Sequence, residues 1–242
     1  MLLELSTWPE IEAYLQRDTS VLIPIGSTEQ HGPTGLIGTD AICAQTLARG
    51  VGERLGVLVT PTLHIGMAQH HMAFPGTLSL RPETLLAVVR DVIESLSRHG
   101  FTHCYFINGH GGNIPVVESA FSAVYAGDPE NAPRCRLANW WRLPQVAALA
   151  RELYGAAEGH HATASEVALS FHTHPEAVKT APLDPPVAPT GPIFDARDFR
   201  RRFPDGRIGS NPALARVEHG ARFREVAVQA IAEDFRRFVH AP

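Results

Sequence analysis

The apolar run Val21-Leu22-Ile23-Pro24-Ile25 passes directly into Gly26-Ser27-Thr28-Glu29-Gln30-His31-Gly32, with Gly38-Thr39-Asp40 a few residues on. A short apolar run closed by glycine reads as a buried strand. Ligands in open α/β sheets collect at the carboxyl ends of such strands, so Glu29 and His31 stand where chemistry is expected. In extended backbone, residues two apart share a face about 6.6 Å apart, so this pair can serve one metal or two neighbouring ones. Asp40 can bridge them.

The same alternation continues along the chain. Strands are expected over 21–25, 57–61, 102–108 and 136–139, and helices over 39–55, 81–99, from Asn113 onward, 144–154, from Thr163 into 169–171, and 212–239. Strands alternating with helical patterns mean βαβ units. The expected fold class is therefore α/β, a three-layer α/β/α arrangement around a mostly parallel sheet, in one domain over residues 1–242. Residues 181–192 carry five prolines, which fix φ and remove donors, so 181–211 is expected to be a Pro-rich excursion loop, its stretch 193–211 too short and charged to make its own core.

Composition limits the partners. With 21 Lys and Arg against 25 Asp and Glu, basic residues are scattered apart from Arg200-Arg201-Arg202 and Arg236-Arg237, which leaves no stripe for nucleic acid or an anionic membrane. Three cysteines without a CxxC pattern indicate neither a disulfide framework nor a thiolate zinc site, which fits a reducing cytoplasm. The N-terminal residues lack a basic segment before an apolar one, and no run reaches membrane-span length, so a soluble, untargeted protein is expected. Thirteen histidines in 242 residues raise the expectation of a metalloenzyme.

Two further groups carry chemistry. Ile107-Asn108-Gly109-His110-Gly111-Gly112-Asn113 follows an apolar strand, and its glycines let backbone approach a ligand; its plain alternative is a strand-to-helix turn with Asn113 as N-cap. In Glu158-Gly159-His160-His161-Ala162-Thr163-Ala164-Ser165-Glu166, His161 and Glu166 are five apart. They meet only if His161 lies in the loop and Glu166 on the inward face of the first helical turns. Glu166 can then complete a metal shell while His161 serves as general acid or base. His71 lines the pocket or bonds a loop, whereas His70 and His160 are expected to point elsewhere, because adjacent residues seldom share a face. Trp140-Trp141 reads as core or interface, with a lid as the alternative.

These motifs together resemble the creatininase (creatinine amidohydrolase) family. The match runs through Glu29-Gln30-His31-Gly32 with Thr39-Asp40, Phe74 to Thr77 with His71 three residues before it, Asn108 to Asn113, His161-Ala162 with Glu166, and Gly206 to Pro212. The resemblance implies two divalent ions, Zn²⁺, Mn²⁺ or Fe²⁺: Glu29, Asp40 and His110 hold one, His31, Asp40 and Glu166 the other, with Asp40 bridging. His161, with Glu166, is the implied catalytic pair, and His71, Gly111, Gly112 and Trp141 are the implied substrate contacts. A homo-oligomer, specifically a hexamer, is implied as well.

The chain also departs from the family. Creatininases place Tyr-Glu where Gly111-Gly112 stand, with that Glu as a ligand, so Glu166 must supply the carboxylate and a wider pocket floor is expected. Thr34-Gly35 and Thr163 with Val167 also differ from the family pattern. The expected function is metal-dependent hydrolysis of a small-molecule C–N bond, a cyclic amide or formamide rather than creatinine. The alternatives are a peptidase-like maturation enzyme of the same family and a metal-binding protein without turnover.

Overall fold

The computed structural model describes residues 1–241. Four strands, β1 (Ser20–Ile25), β2 (Leu58–Val59), β3 (His103–Asn108) and β4 (Arg134–Asn139), form one parallel sheet in the order β2-β1-β3-β4. Burial on both faces is why β1 shows no polar alternation: Val21, Ile23 and Ile25 join one core cluster and Leu22 the other. Cys104 and Phe106 of β3 likewise face away from Tyr105 and Ile107. The first face is covered by α1 (Trp8–Leu15), α3 (Pro82–Arg98) and α4 (Ile114–Gly127); the second by α2 (Thr39–Leu55), α5 (Pro144–Tyr154), α6 (Ala164–Thr173) and α8 (Val217–Val239). This is the three-layer α/β/α arrangement expected.

Several boundaries differ. The second strand shrinks to two residues, although Thr60 and Leu63 still donate to Leu22 and Pro24 carbonyls at 2.9 and 3.0 Å. The last helix begins at Val217, after a separate 3₁₀ turn at Pro212–Leu214. Helix α1 was not anticipated, yet Thr7-Trp8-Pro9-Glu10 forms a capping box that the sequence displays.

The excursion loop packs a small cluster against Phe74 of the body. Within it α7 (Ala196–Arg202) is capped by the Asp195 side chain, and Phe199 and Phe203, one turn apart, pack with Phe74 and Ile208. Buried Arg207 pins the rest, donating to the carbonyls of Pro185, Pro186 and Ser210 at 2.8 to 3.1 Å and pairing with Asp205. Among the described residues no helix is long and apolar enough to cross a membrane.

Candidate metal centre

The site lies at the carboxyl ends of β1 and β3, where the first turn of α2 comes in between them. A Cβ at Gly109 would collide with the Asp40 carbonyl, so glycine is what lets Asp40 approach the end of β3. Asn113 does not cap α4 with its side chain. Its amide instead ties the strand ends together, donating to Gly26 O (2.9 Å) and Asn108 Oδ1 (3.2 Å) and accepting from Met67 N (3.1 Å). Asn108 in turn accepts from His110 N at 3.0 Å, which fixes that residue's backbone.

These elements bring five of the proposed ligands into contact. Asp40 stands between two histidines, Oδ1 3.0 Å from His31 Nε2 and Oδ2 3.1 Å from His110 Nδ1. Glu29 Oε2 is 3.2 Å from His110 Nδ1, and Glu166 Oε1 is 3.8 Å from His31 Nε2. Three sets have ligand atoms within 4.8 Å of one another: Glu29/Asp40/His110, His31/Asp40/Glu166 and Glu29/His31/His161. The first two coincide with the pair of ligand sets expected from the sequence; the third adds His161.

The remaining nitrogens of the two inner histidines are committed to backbone. His110 Nε2 donates to Met67 O and His31 Nδ1 to Glu29 O, each at 3.0 Å, so a neutral ring turns its lone pair toward the carboxylates. Both Glu29 oxygens and Asp40 Oδ2 are buried without a hydrogen-bond partner, since the imidazole edges nearby are not aligned to donate. Acceptors facing acceptors in a buried site are costly, and a cation among them removes that cost. Carboxylate and imidazole donors suit Zn²⁺, Mn²⁺ and Fe²⁺ alike.

The clustered carboxylates and imidazoles shift one another in both directions. Burial alone would raise Glu29, but the imidazoles of His110 and His71 outweigh it and hold the carboxyl well below its usual range. Burial would likewise lower His31, yet Asp40 above all, with Glu166 and Glu29, keeps it at about 10. Glu166 is pushed up to about 7 by burial, with Asp40 adding to the effect. Its Oε1 also accepts from Thr163 N at 2.6 Å as part of the α6 capping box, so this carboxylate is oriented by the helix it starts.

His161 does lie in the loop before α6, with Ile208 N and Ser210 Oγ donating to its carbonyl at 3.3 and 2.7 Å. Its Nδ1 is 3.8 Å from Glu29 Oε1, and burial and then the His71 and His31 rings push its pKa well below normal, which keeps the ring neutral. His71 Nε2 is 3.2 Å from Glu29 Oε1. His70, expected to point elsewhere, stacks on His110 with ring centroids 6.2 Å apart and lies 4.1 Å from the His71 ring. Residues 69–71 form a 3₁₀ turn rather than a strand, so neighbours do not alternate faces.

The glycine pair splits. Gly111 borders open space, whereas a Cβ on Gly112 would strike His110 Nε2 and Met67 O. Trp141 packs half-buried against the main core beside fully buried Trp140. Two contributors were missed in the sequence. Gln30, next to both Glu29 and His31, reaches His71 and His161, and Phe199 packs edge-on against His71 at 4.8 Å.

The family model described as "Creatininase: Creatinine amidohydrolase" matches residues 4–235. The chain is 30% identical to a creatinine amidohydrolase of Pseudomonas putida over 250 residues, covering 95% of this chain and 94% of that one. It is 28% identical to a mycofactocin precursor peptide peptidase of Mycobacterium ulcerans, covering 94% and 85%. Its fold superposes on a creatininase mutant of Zn–Zn type with a TM-score of 0.85 at 27% identity, covering 100% and 98%.

Proposed function

The chain belongs to the creatininase family, and from that premise we propose that it hydrolyses a C–N bond of a small amide other than creatinine, such as a cyclic amide or formamide, with two divalent cations. Glu29, Asp40 and His110 would hold one and His31, Asp40 and Glu166 the other. The observation that carries this reading is the set of partnerless, fully buried carboxylate oxygens on Glu29 and Asp40. Bound there, the cations supply Lewis acidity, which lowers the pKa of water and stabilises charge developing on an amide oxygen.

The chain's own groups do the rest. Asp40, through its two oxygens, fixes the spacing of the ligand sets. Neutral His161 would take a proton at Nδ1, the nitrogen facing the cluster, from the attacking water and return it to the departing nitrogen as the C–N bond breaks. His71, the open side of Gly111 and Trp141 are assigned to the substrate side, and Gly112 acts by leaving room for His110. Loss of the Tyr-Glu pair at 111–112 removes the wall that creatininases present, which argues against creatinine. A second reading, peptidase-like processing of a precursor peptide, is favoured by likeness to the mycobacterial peptidase. We assign the protein further to the cytoplasm as a homo-oligomer, a hexamer, to be checked by its mass in solution.

The test is turnover by the purified protein loaded with Zn²⁺, Mn²⁺ or Fe²⁺ on a panel of creatinine, cyclic amides, formamides and short peptides. Chelator-sensitive turnover fastest on a cyclic amide or formamide supports the proposal. Creatinine as the fastest substrate overturns the substrate reading, peptides as the fastest favour the peptidase, and stoichiometric metal with no turnover of any of them leaves a binding protein.

A further inference from the structure

Gln30 is fully engaged inside the site although it is neither charged nor a metal donor. Its side-chain oxygen accepts from Gly32 N at 2.9 Å, and its nitrogen donates to Gly206 O at 2.9 Å. A backbone N–H can only donate and a carbonyl can only accept, so the orientation of the amide is fixed. The nitrogen has one hydrogen left, and two ring nitrogens lie 2.9 Å from it, His71 Nδ1 and His161 Nε2.

The backbone of the same residue decides between them. His161 Nε2 is also 2.9 Å from the Gln30 carbonyl oxygen, which only accepts. Nε2 therefore carries a proton, cannot accept from the amide, and in the neutral ring leaves the lone pair on Nδ1, the nitrogen 3.8 Å from Glu29 Oε1. The second amide hydrogen then goes to His71 Nδ1. That leaves the His71 proton on Nε2, which lies 3.2 Å from Glu29 Oε1 without a hydrogen bond to it. Every polar atom of Gln30 and both outer imidazole nitrogens are satisfied by this assignment; the alternative sets a lone pair of His161 against a carbonyl.

We propose that Gln30 is a positioning residue that sets both tautomers, His71 through its side-chain amide and His161 through its backbone carbonyl. His71 then carries its proton on Nε2 beside the Glu29 carboxylate and is barred from ligating through that nitrogen, while His161 presents a lone pair to the cluster. The role in proton transfer rests on the amidohydrolase reading; the tautomers do not. One residue thus keeps His71 Nε2 protonated beside the Glu29 carboxylate and orients the proton carrier, while its neighbours Glu29 and His31 would hold the cations.

The test is imidazole ¹⁵N chemical shifts of the full-length protein, with metal retention after dialysis. Wild type is expected to show His71 and His161 both protonated at Nε2. In Gln30→Leu, His71 should lose its fixed tautomer, His161 should keep its own because the backbone carbonyl remains, and metal retention should weaken by about 10- to 100-fold. His71→Ala should weaken metal retention similarly, and the double variant little further. An Nδ1-protonated His71 in wild type, unaltered His71 shifts in Gln30→Leu, or additive losses in the double variant would overturn the proposal. The wild-type spectrum decides it even if the variant does not fold, and a protein that hydrolyses no amide leaves the tautomer result standing.

Discussion

His110 occupies the space that a side chain at Gly112 would need. Its Nε2 donates to Met67 O at 3.0 Å, and that bond holds the ring against the glycine while Nδ1 faces Glu29 and Asp40. Gly112→Glu is therefore expected to displace His110 rather than restore a creatininase-type ligand. Metal retention should fall at least about 10-fold and thermal stability should drop. Metal analysis and a melting curve check this, and a variant that keeps both would show that the ring has room to move.

Asp40 belongs to both inner ligand sets, whereas His31 and His110 divide between them. Asp40→Ala should lose both ions and His31→Ala mainly one. Metal-to-protein ratios of the purified variants measure this, and two ions kept in Asp40→Ala contradict the bridging assignment.

His161 stands in one possible ligand set as well as beside the proton path. As the proton carrier, His161→Ala should retain its metals and lose about 10²- to 10⁴-fold in kcat, the usual contribution of a positioned acid or base. A parallel fall in metal content would make His161 a ligand.

Away from the site, Asp234 of α8 ties the helix to the sheet, accepting from Tyr105 Oη at 2.7 Å and from Arg136 Nε and Nη2, each at 2.7 Å. Burial works to raise this carboxyl, but the Tyr105 hydroxyl and the Arg136 guanidinium hold it below its ordinary value. A depressed folded-state pKa gives stability that is complete above the unfolded value of about 3.9 and is lost as the pH falls through the folded one. Asp234→Asn should cost about 1 to 3 kcal/mol at pH 7, and the difference from wild type should shrink on acidification below about pH 4. Denaturant melts at pH 7 and about pH 3 test it; a difference independent of pH would place the effect in packing alone.

Local pattern made most of the sheet and the inner candidate ligands readable. The unbroken apolar runs of β1 and β3 could only be strands covered on both faces, and each ends in the glycine-bearing loop that holds Glu29, His31 or His110. The α6 start was readable too, because Thr163 and Glu166 stand at capping-box spacing, which also orients the Glu166 carboxylate. What the sequence by itself determined was therefore the fold class and the identity of the candidate donors. Tertiary structure alone decided which atoms meet. Gln30 sits 41 residues from His71 and 131 from His161, so no periodicity links them. Phe199 in a proline-rich excursion showed no core pattern until Phe74 and Phe203 closed around it. The apparent room at Gly112 vanished because Met67, 43 residues before His110, draws that ring across it. Donor type is a property of one residue, but hydrogen-bond partners and free volume belong to segments distant in the chain, and only their packing fixes them.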